Sequence, residues 1–462
     1  MQWLRLQLML WQKILKVKGT QFSPNVLIRF YPWQKKSKFK NKMPDITKKW
    51  LRIIGIGEDG WDDLAADSKE LLYEAEIVLG GERHLKMIPE DWEGERIVWP
   101  SPIRDAVTKI VSWRPAESGG GKIVAVMASG DPLCYGIASK LLRNLPIEEI
   151  WIKPAVTTFS LICSRLGWSL PDVETLTIHG RPLEMLHPFV QPGAKLLVLN
   201  KDEGSPEQTA KLLTARGFGK SQITVLEHLG GSKERQFSGQ ADSWSHPEGA
   251  ALNALALECI ADTNTNLLAR IPGLPDEAFF HDGQLTKRAI RAITLSRLMP
   301  VVDQVLWDVG AGCGSVAIEW MRSHPRCKAQ AIEKSESRLK LIQQNAFQLG
   351  VPMLNIVPGN APEVLLDLPA PDAVFVGGGL SAGNTLETCW NALKPGGRLV
   401  ANAVTLEGEQ KLLLWKKENA RNTAVASGDL TRLAVSHVQN IGKFQSWKEA
   451  HSVTQLAVIK CY

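Results

Sequence analysis

The run Asp308-Val309-Gly310-Ala311-Gly312-Cys313-Gly314 limits what this chain can fold into more than any other feature. It stands where the apolar segment Gln304 to Val309 reads as a buried strand and Ser315 to Met321 reads as a helix. Glycines in such a turn let the backbone take positive φ and come close to a ligand. Glu333 follows nineteen residues after Gly314, at the end of the next strand-like segment, Lys328 to Ile332. A carboxylate there is placed to accept hydrogen bonds from ribose hydroxyls. A glycine turn alone is usually structural, but loop, acid and strand–helix context together point to a nucleotide-like cofactor on an α/β sheet.

The rest of the chain divides around that unit. With 462 residues there is room for more than one domain. Leu51 to Gly57 reads as a strand entering a glycine turn, followed by a helix near Ser68 to Ala75 and strands at Ile77 to Leu79 and Lys122 to Met127. This alternation predicts an α/β domain with a largely parallel sheet. A helix near Ser160 to Leu166 and strands at Lys195 to Leu199 and Gln222 to Glu227 follow. The polar, turn-rich stretch Asp262 to Asn266 reads as a linker. Further strands are expected at Ala373 to Val376, Arg398 to Ala401 and Thr454 to Ile459. The expected organisation is a basic extension without ordered fold over 1–49, a first domain over 50–261, a linker over 262–270 and a second domain over 271–462.

Charge narrows the partners. Of the 54 Lys and Arg residues, ten lie within the first 42 residues, which contain no acid; the remaining 44 face 48 Asp and Glu. A slightly acidic body offers no broad footprint for nucleic acid. The seven cysteines form no C-x-x-C pair, which argues for a reducing, cytoplasmic setting and against a disulfide framework or zinc site. No apolar run reaches the roughly 18 residues of a membrane span. The basic N-terminal stretch reads as an extension, or as sequence upstream of a start at Met43; a basic amphipathic membrane contact or transit segment is the alternative. Self-association is left open.

Further motifs carry a resemblance. After the glycine loop and Glu333 come Gly359-Asn360-Ala361, Pro371-Asp372-Ala373 and Leu393-Lys394-Pro395-Gly396-Gly397-Arg398-Leu399. The ordered set resembles the Rossmann-like class I methyltransferases, and the Leu-Lys-Pro-Gly-Gly turn sets it apart from dinucleotide dehydrogenases. The resemblance implies S-adenosylmethionine as cofactor. Gly310, Ala311, Gly312, Cys313 and Gly314 would hold its methionine part, Glu333 its ribose, and Asn360 and Ala361 would border its adenine. Ile271 to Phe279, followed by Thr286-Lys287, looks like the lead-in of the decarboxylating precorrin methyltransferase domains. By that likeness Thr286 caps the cofactor pocket and Gly378, within Val376-Gly377-Gly378-Gly379, lies in a loop beside the substrate; on physics alone the triple glycine is a flexible turn.

Gly55-Ile56-Gly57-Glu58-Asp59-Gly60 and Ser129-Gly130-Asp131-Pro132, loops about 75 residues apart, together resemble the tetrapyrrole methylase (class III methyltransferase) fold of two subdomains. Gly80-Gly81-Glu82-Arg83-His84-Leu85, Pro154 to Ser160 and His179-Gly180-Arg181 match the branch acting on late corrin precursors. The likeness implies that Gly130, Asp131, Thr157 and Thr158 line a second donor cleft. Arg83, His84 and Arg181 are candidates for substrate carboxylates, which a guanidinium fork suits; His179 is weighed against a purely structural role. Glu58 stands where many members of the broader fold have Gly or Pro. A fusion of these two folds implies two carbon methylations and one decarboxylation of a polycarboxylate tetrapyrrole. Alignment of donor and acceptor and exclusion of water would do most of the work. An RNA or protein methyltransferase and a non-catalytic scaffold are the competing readings; the partner domain counts against the first, the intact glycine loop and Glu333 against the second.

Overall fold

The computed structural model describes residues 49–100, 103–115, 121–380, 383–419 and 424–462, with backbone only at 103, 104 and 426. The expectations for residues 1–48 lie outside the described residues.

The first layer is a parallel sheet. Its strands are β1 (Leu51–Ile56), β2 (Ile77–Gly80), β3 (Glu95–Val98), β4 (Val124–Ser129) and β5 (Ile150–Lys153), in the order β3-β2-β4-β1-β5. All its pairings are parallel. Helices α1 (Ala66–Tyr73), α2 (Glu82–Lys86), α3 (Ile103–Ser112) and α4 (Ala138–Leu141) connect the strands. Every residue of β1 is buried, as the unbroken apolar run requires of a strand covered on both faces. Arg52 is the exception in kind: it donates to the carbonyl of Leu71 at 2.9 Å and pairs with Glu74 at 2.5 Å, so its buried charge is compensated.

The chain then builds α5 (Thr158–Leu166) and a second sheet, β6 (Glu174–Thr177), β7 (Lys195–Leu199), β8 (Gln222–Glu227), β9 (Arg235–Gln240) and β10 (Asn253–Glu258), with α6 (Ser205–Ala215) after β7. Here the order is β6-β7-β10-β8-β9 and only β6–β7 is parallel. The short connection from β8 to β9 permits an antiparallel hairpin and no crossover helix.

The remainder comprises a seven-stranded sheet, ordered β13-β12-β11-β14-β15-β19-β16, and a separate two-stranded hairpin. Its elements are α7 (Arg288–Leu298), β11 (Val305–Val309), α8 (Ser315–Ser323), β12 (Lys328–Glu333), α9 (Glu336–Gln348), β13 (Asn355–Pro358), β14 (Ala373–Val376), α10 (Thr385–Ala392), β15 (Arg398–Ala403), α11 (Leu406–Glu418), β16 (Val425–Leu433), β17 (Ser436–Ile441), β18 (Phe444–Glu449) and β19 (Val453–Lys460). Alternate residues face opposite layers: Leu306 and Phe375 pack with Leu295 and Trp320, while Trp307, Val309 and Val374 pack with Trp390 and Leu412. Strand order reverses at β11, which has β12 on one side and β14 on the other. That switch point is where a crevice opens at the strand C-termini. The exposed hairpin β17–β18 has no counterpart among the expected elements, because neither strand buries a face and no periodicity marks it.

Candidate functional site

In the second domain the glycine loop leaves β11 with φ of +69° at Gly310, +61° at Gly312 and +81° at Gly314. Gly310 N–H and Ala311 N–H both donate to the Ile332 carbonyl at 3.0 Å, which folds the loop over the end of β12. A Cβ on Gly310 would lie 2.7 Å from Cα of Gly378, so two glycine loops meet there without side chains. Gly377 N–H donates to the Val309 carbonyl at 3.0 Å and fixes that approach. Ala311 and Cys313 are buried, and the loop presents backbone toward the crevice. A Cβ on Gly312 would touch only the Gln284 carbonyl, at 3.6 Å, so the segment leading to Thr286 lies over the loop.

Glu333 accepts from Gly312 N–H at 2.9 Å and from Lys334 and Ser335 N–H at 3.0 Å each. These bonds aim a buried carboxylate at the loop and leave acceptor capacity over for hydroxyls. Gly359 N–H donates to the Glu333 carbonyl at 3.0 Å, bringing Asn360 and buried Ala361 to the same rim. Asn360 is exposed, its amide 3.4 Å from Glu363. Beneath the loop, Asp308 accepts from Ala317 N–H at 2.9 Å, and its other oxygen has no partner. Burial, with Glu333 nearby, pushes its carboxyl up to about 7.

Sequence reasoning missed what holds this rim. Arg291 on α7 is fully buried; it donates to Glu319 at 2.7 Å and to Asp276 at 3.0 Å, and also to the carbonyls of Thr286 and Leu274. Glu319 in turn accepts from Gly273 N–H at 2.6 Å and Leu274 N–H at 3.0 Å. One buried pair therefore pins both ends of the lead-in. Asn345 on α9 donates to the Cys313 and Phe280 carbonyls, each at 2.9 Å, and accepts from Phe280 N–H at 2.8 Å. A charged or amide side chain on an otherwise apolar helix face was the available signal.

In the first domain the loops after β1, β4 and β5 converge. A Cβ on Gly55 would lie 2.0 Å from the Gly130 carbonyl oxygen, and one on Gly130 would lie 3.1 Å from the Val156 carbonyl. Gly130 has φ +57°. Asp131 accepts from Leu133 N–H at 2.8 Å, and Thr157 caps α5 by accepting from Ser160 N–H at 3.0 Å, placing Thr158 at the first turn. Gly130, Asp131, Thr157 and Thr158 thus share one rim.

Arg83 and His84 stand next to that rim. Arg83 is ion-paired with Glu58 and donates to Ser129 Oγ at 3.1 Å and to His84 Nε2 at 3.0 Å. Burial, reinforced by Arg83, holds His84 down at about 4, so it is neutral at pH 7 and supplies no cation for a carboxylate. Arg181 is exposed and lies 5.3 Å from the Tyr135 ring centroid, whose hydroxyl donates to the Thr175 carbonyl at 2.6 Å. His179 is exposed as well. Glu58, noted only as a departure, is the centre of this group, because its second oxygen meets His228 Nδ1 at 3.0 Å.

Residues 51–243 match the family model for tetrapyrrole (corrin/porphyrin) methylases, and 277–460 match a precorrin methyltransferase domain. The chain is 43% identical over 415 residues to a Sinorhizobium precorrin-6Y C(5,15)-methyltransferase [decarboxylating], covering 90% of this chain and 97% of that one. Two Salmonella typhimurium proteins each match 40% of the chain. One is a cobalt-precorrin-7 C(5)-methyltransferase, 29% identical with 88% of its length covered. The other is a cobalt-precorrin-6B C(15)-methyltransferase (decarboxylating), 31% identical with 96% covered.

Proposed function

Because the chain belongs to the precorrin-6Y C(5,15)-methyltransferase (decarboxylating) family, we propose that each of its two domains holds one S-adenosylmethionine and serves one carbon of the same macrocycle. The protein is a methyltransferase of cobalamin biosynthesis that methylates a precorrin at carbons 5 and 15 and removes a carboxyl group. The first domain takes carbon 5; the second takes carbon 15 and the ring C acetate, giving precorrin-8X. Single-activity relatives that each match 40% of the chain support this division.

The observation that carries the cofactor assignment is the loop over Glu333: three positive-φ glycines, a carboxylate oriented by backbone N–H groups, and bare Cα atoms at Gly310 and Gly378. A side-chain-free cradle beside a buried acceptor suits a nucleoside with an amino-acid tail. Gly310 to Gly314 would hold the methionine part, Glu333 the ribose, Asn360 and Ala361 the adenine edge, with Thr286 closing over them. When bound, the cofactor supplies an electrophilic methyl on a sulfonium. The chain aligns donor and acceptor carbons and keeps water out. In the first domain Gly130, Asp131, Thr157 and Thr158 take the equivalent place, and Arg181, whose guanidinium pairs with no acid among the described contacts, faces substrate carboxylates. The enzyme would act in the cytoplasm on a small polycarboxylate, without nucleic acid; no helix among the described residues is long and apolar enough to cross a membrane.

Mass analysis of the protein with S-adenosylmethionine and precorrin-6Y, or its cobalt form, tests the reading. Gain of two methyl groups with loss of carbon dioxide is expected. An unchanged mass with both macrocycles would refute it.

A further inference from the structure

Moving a methyl group from a sulfonium to a neutral carbon leaves a positive charge on the acceptor. The new carbon–carbon bond forms, the sulfur–carbon bond breaks, and charge balance then requires one proton to leave the macrocycle. The question is which group in the first domain can take it.

Glu58 and His228 come from different subdomains and meet at the cleft. Glu58 follows β1, whose Gly55 lies against Gly130; His228 follows β8 in the second sheet. A Cβ on Gly231 would lie 2.4 Å from Glu58 Cγ, and one on Gly230 would lie 3.6 Å from Leu161 of α5, so the glycine turn after His228 is what admits the acid. Glu58 Oε1 is 3.0 Å from His228 Nδ1, while Oε2 pairs with Arg83. A carboxylate at Nδ1 selects the tautomer with the proton there and leaves Nε2 as a free base. The His228 side chain is 25% exposed, open enough to meet a ligand. Its backbone sits at φ +45°, a conformation a residue with a Cβ rarely adopts. Strain of that kind collects at functional positions.

We propose that His228 Nε2 accepts the proton released during methylation in the first domain, with Glu58 as the residue that positions the imidazole and Arg83 as the group that positions Glu58. The inference rests on the assignment of carbon 5 methylation to this domain. His84, neutral and bonded to Arg83 and Ser129, forms the wall behind the pair. The charged groups around His228 are Glu58, Asp59 and Arg83 from the first subdomain and Glu227, Glu234 and Arg235 from its own.

The test uses the full-length chain, because the second domain supplies an internal control. His228→Asn tolerates the left-handed backbone while removing the base, and Glu58→Gln keeps the shape while removing the charge. Expected for His228→Asn is a fall of about a hundredfold or more in carbon 5 methylation. Carbon 15 methylation, decarboxylation and the calorimetric affinity for S-adenosylmethionine at both sites should stay at wild-type values. Glu58→Gln should lower the carbon 5 turnover number about tenfold while the KM for the macrocycle and the donor affinity hold, and Glu58→Asp, which keeps the charge, should recover part of that loss. A His228→Asn rate within threefold of wild type overturns the proposal, as does loss of donor binding at the first site in step with the rate. A wild-type chain that adds no methyl group at all defeats the functional reading itself, and this inference falls with it.

Discussion

Gly310→Val tests the proposal that each domain holds a methyl donor of its own. Gly310 sits at φ +69°, and any Cβ there would stand 2.7 Å from Cα, 2.8 Å from N and 2.9 Å from the carbonyl carbon of Gly378. All three are backbone atoms, so no rotamer change relieves the overlap. A β-branched residue in the left-handed region costs about 1–2 kcal/mol, and displacing a packed neighbour adds about 1–3 kcal/mol. If the loop yields locally, a loss of about 2–5 kcal/mol corresponds to roughly thirtyfold to five-thousandfold weaker donor binding at that site. Isothermal titration of the wild-type chain with S-adenosylmethionine should show two sites per chain, and the variant one. Carbon 15 methylation and decarboxylation should fail while the fold, followed by circular dichroism, persists. Two sites of wild-type affinity in the variant would refute both the assignment of the cradle and the steric argument.

Three further outcomes follow from named contacts. Glu319→Ala leaves Arg291 buried without its nearest anion and removes the acceptor for Gly273 and Leu274 N–H, so the second domain should lose about 3–5 kcal/mol; the denaturation midpoint of that domain reports it, and Arg291→Met with Glu319→Leu should recover most of the loss. Glu333→Gln removes the charge of a carboxylate that accepts three backbone N–H bonds, and donor affinity at the second site should fall about tenfold with little change in secondary structure, read by titration and circular dichroism. Burial holds His187 down at about 3, with Arg216 and Arg322 adding to the effect, and His84 at about 4. Unfolded histidine binds its proton near pH 6.5, so the native state holds fewer protons below that value; stability should be full above pH 6.5 and decline as pH falls toward 4, and His187→Gln should flatten the curve of denaturation midpoint against pH.

The parts of the fold that were legible are those in which periodicity and function coincide. β11, the glycine loop and Glu333 could be located because a parallel strand covered on both faces is mostly apolar, as β11 is but for Asp308, and because the turn demands glycine. The supports were illegible because their logic is three-dimensional. Arg291 and Glu319 lie 28 positions apart and read as ordinary helical charges; only the packing of α7 against α8 turns them into a buried clamp. Glu58 and His228 are 170 positions apart, and no local pattern can signal a contact between two subdomains. Arg83 shows that residue type does not name a partner: within the chain its guanidinium pairs with the carboxylate of Glu58.

The joint between the domains shows why composition misleads about stiffness. Asp262 to Asn266 is polar and turn-rich, the usual mark of a loose connection. Yet Asp262 accepts from Gly219 N–H at 3.2 Å and Thr265 Oγ1 donates to the Gly217 carbonyl at 2.6 Å. The polar side chains are there to satisfy backbone groups in the turn between α6 and β8, which is what short polar residues do in tight turns. Beyond them the chain is gripped from both sides. Arg322, on α8 of the second domain, donates to the Leu268 carbonyl at 2.8 Å and the Ala269 carbonyl at 3.2 Å, while Gln191 of the first domain donates to the same Leu268 carbonyl at 2.9 Å. Arg270 stacks 4.7 Å from the Phe189 ring centroid and pairs with Glu174 at 3.2 Å. A Cβ on Gly350 would lie 2.5 Å from Cδ of Pro188, so the domains also meet directly, through a glycine. A tether would need none of these contacts. The residues between the two methyltransferase folds therefore act as packing surface, bonded to both of them.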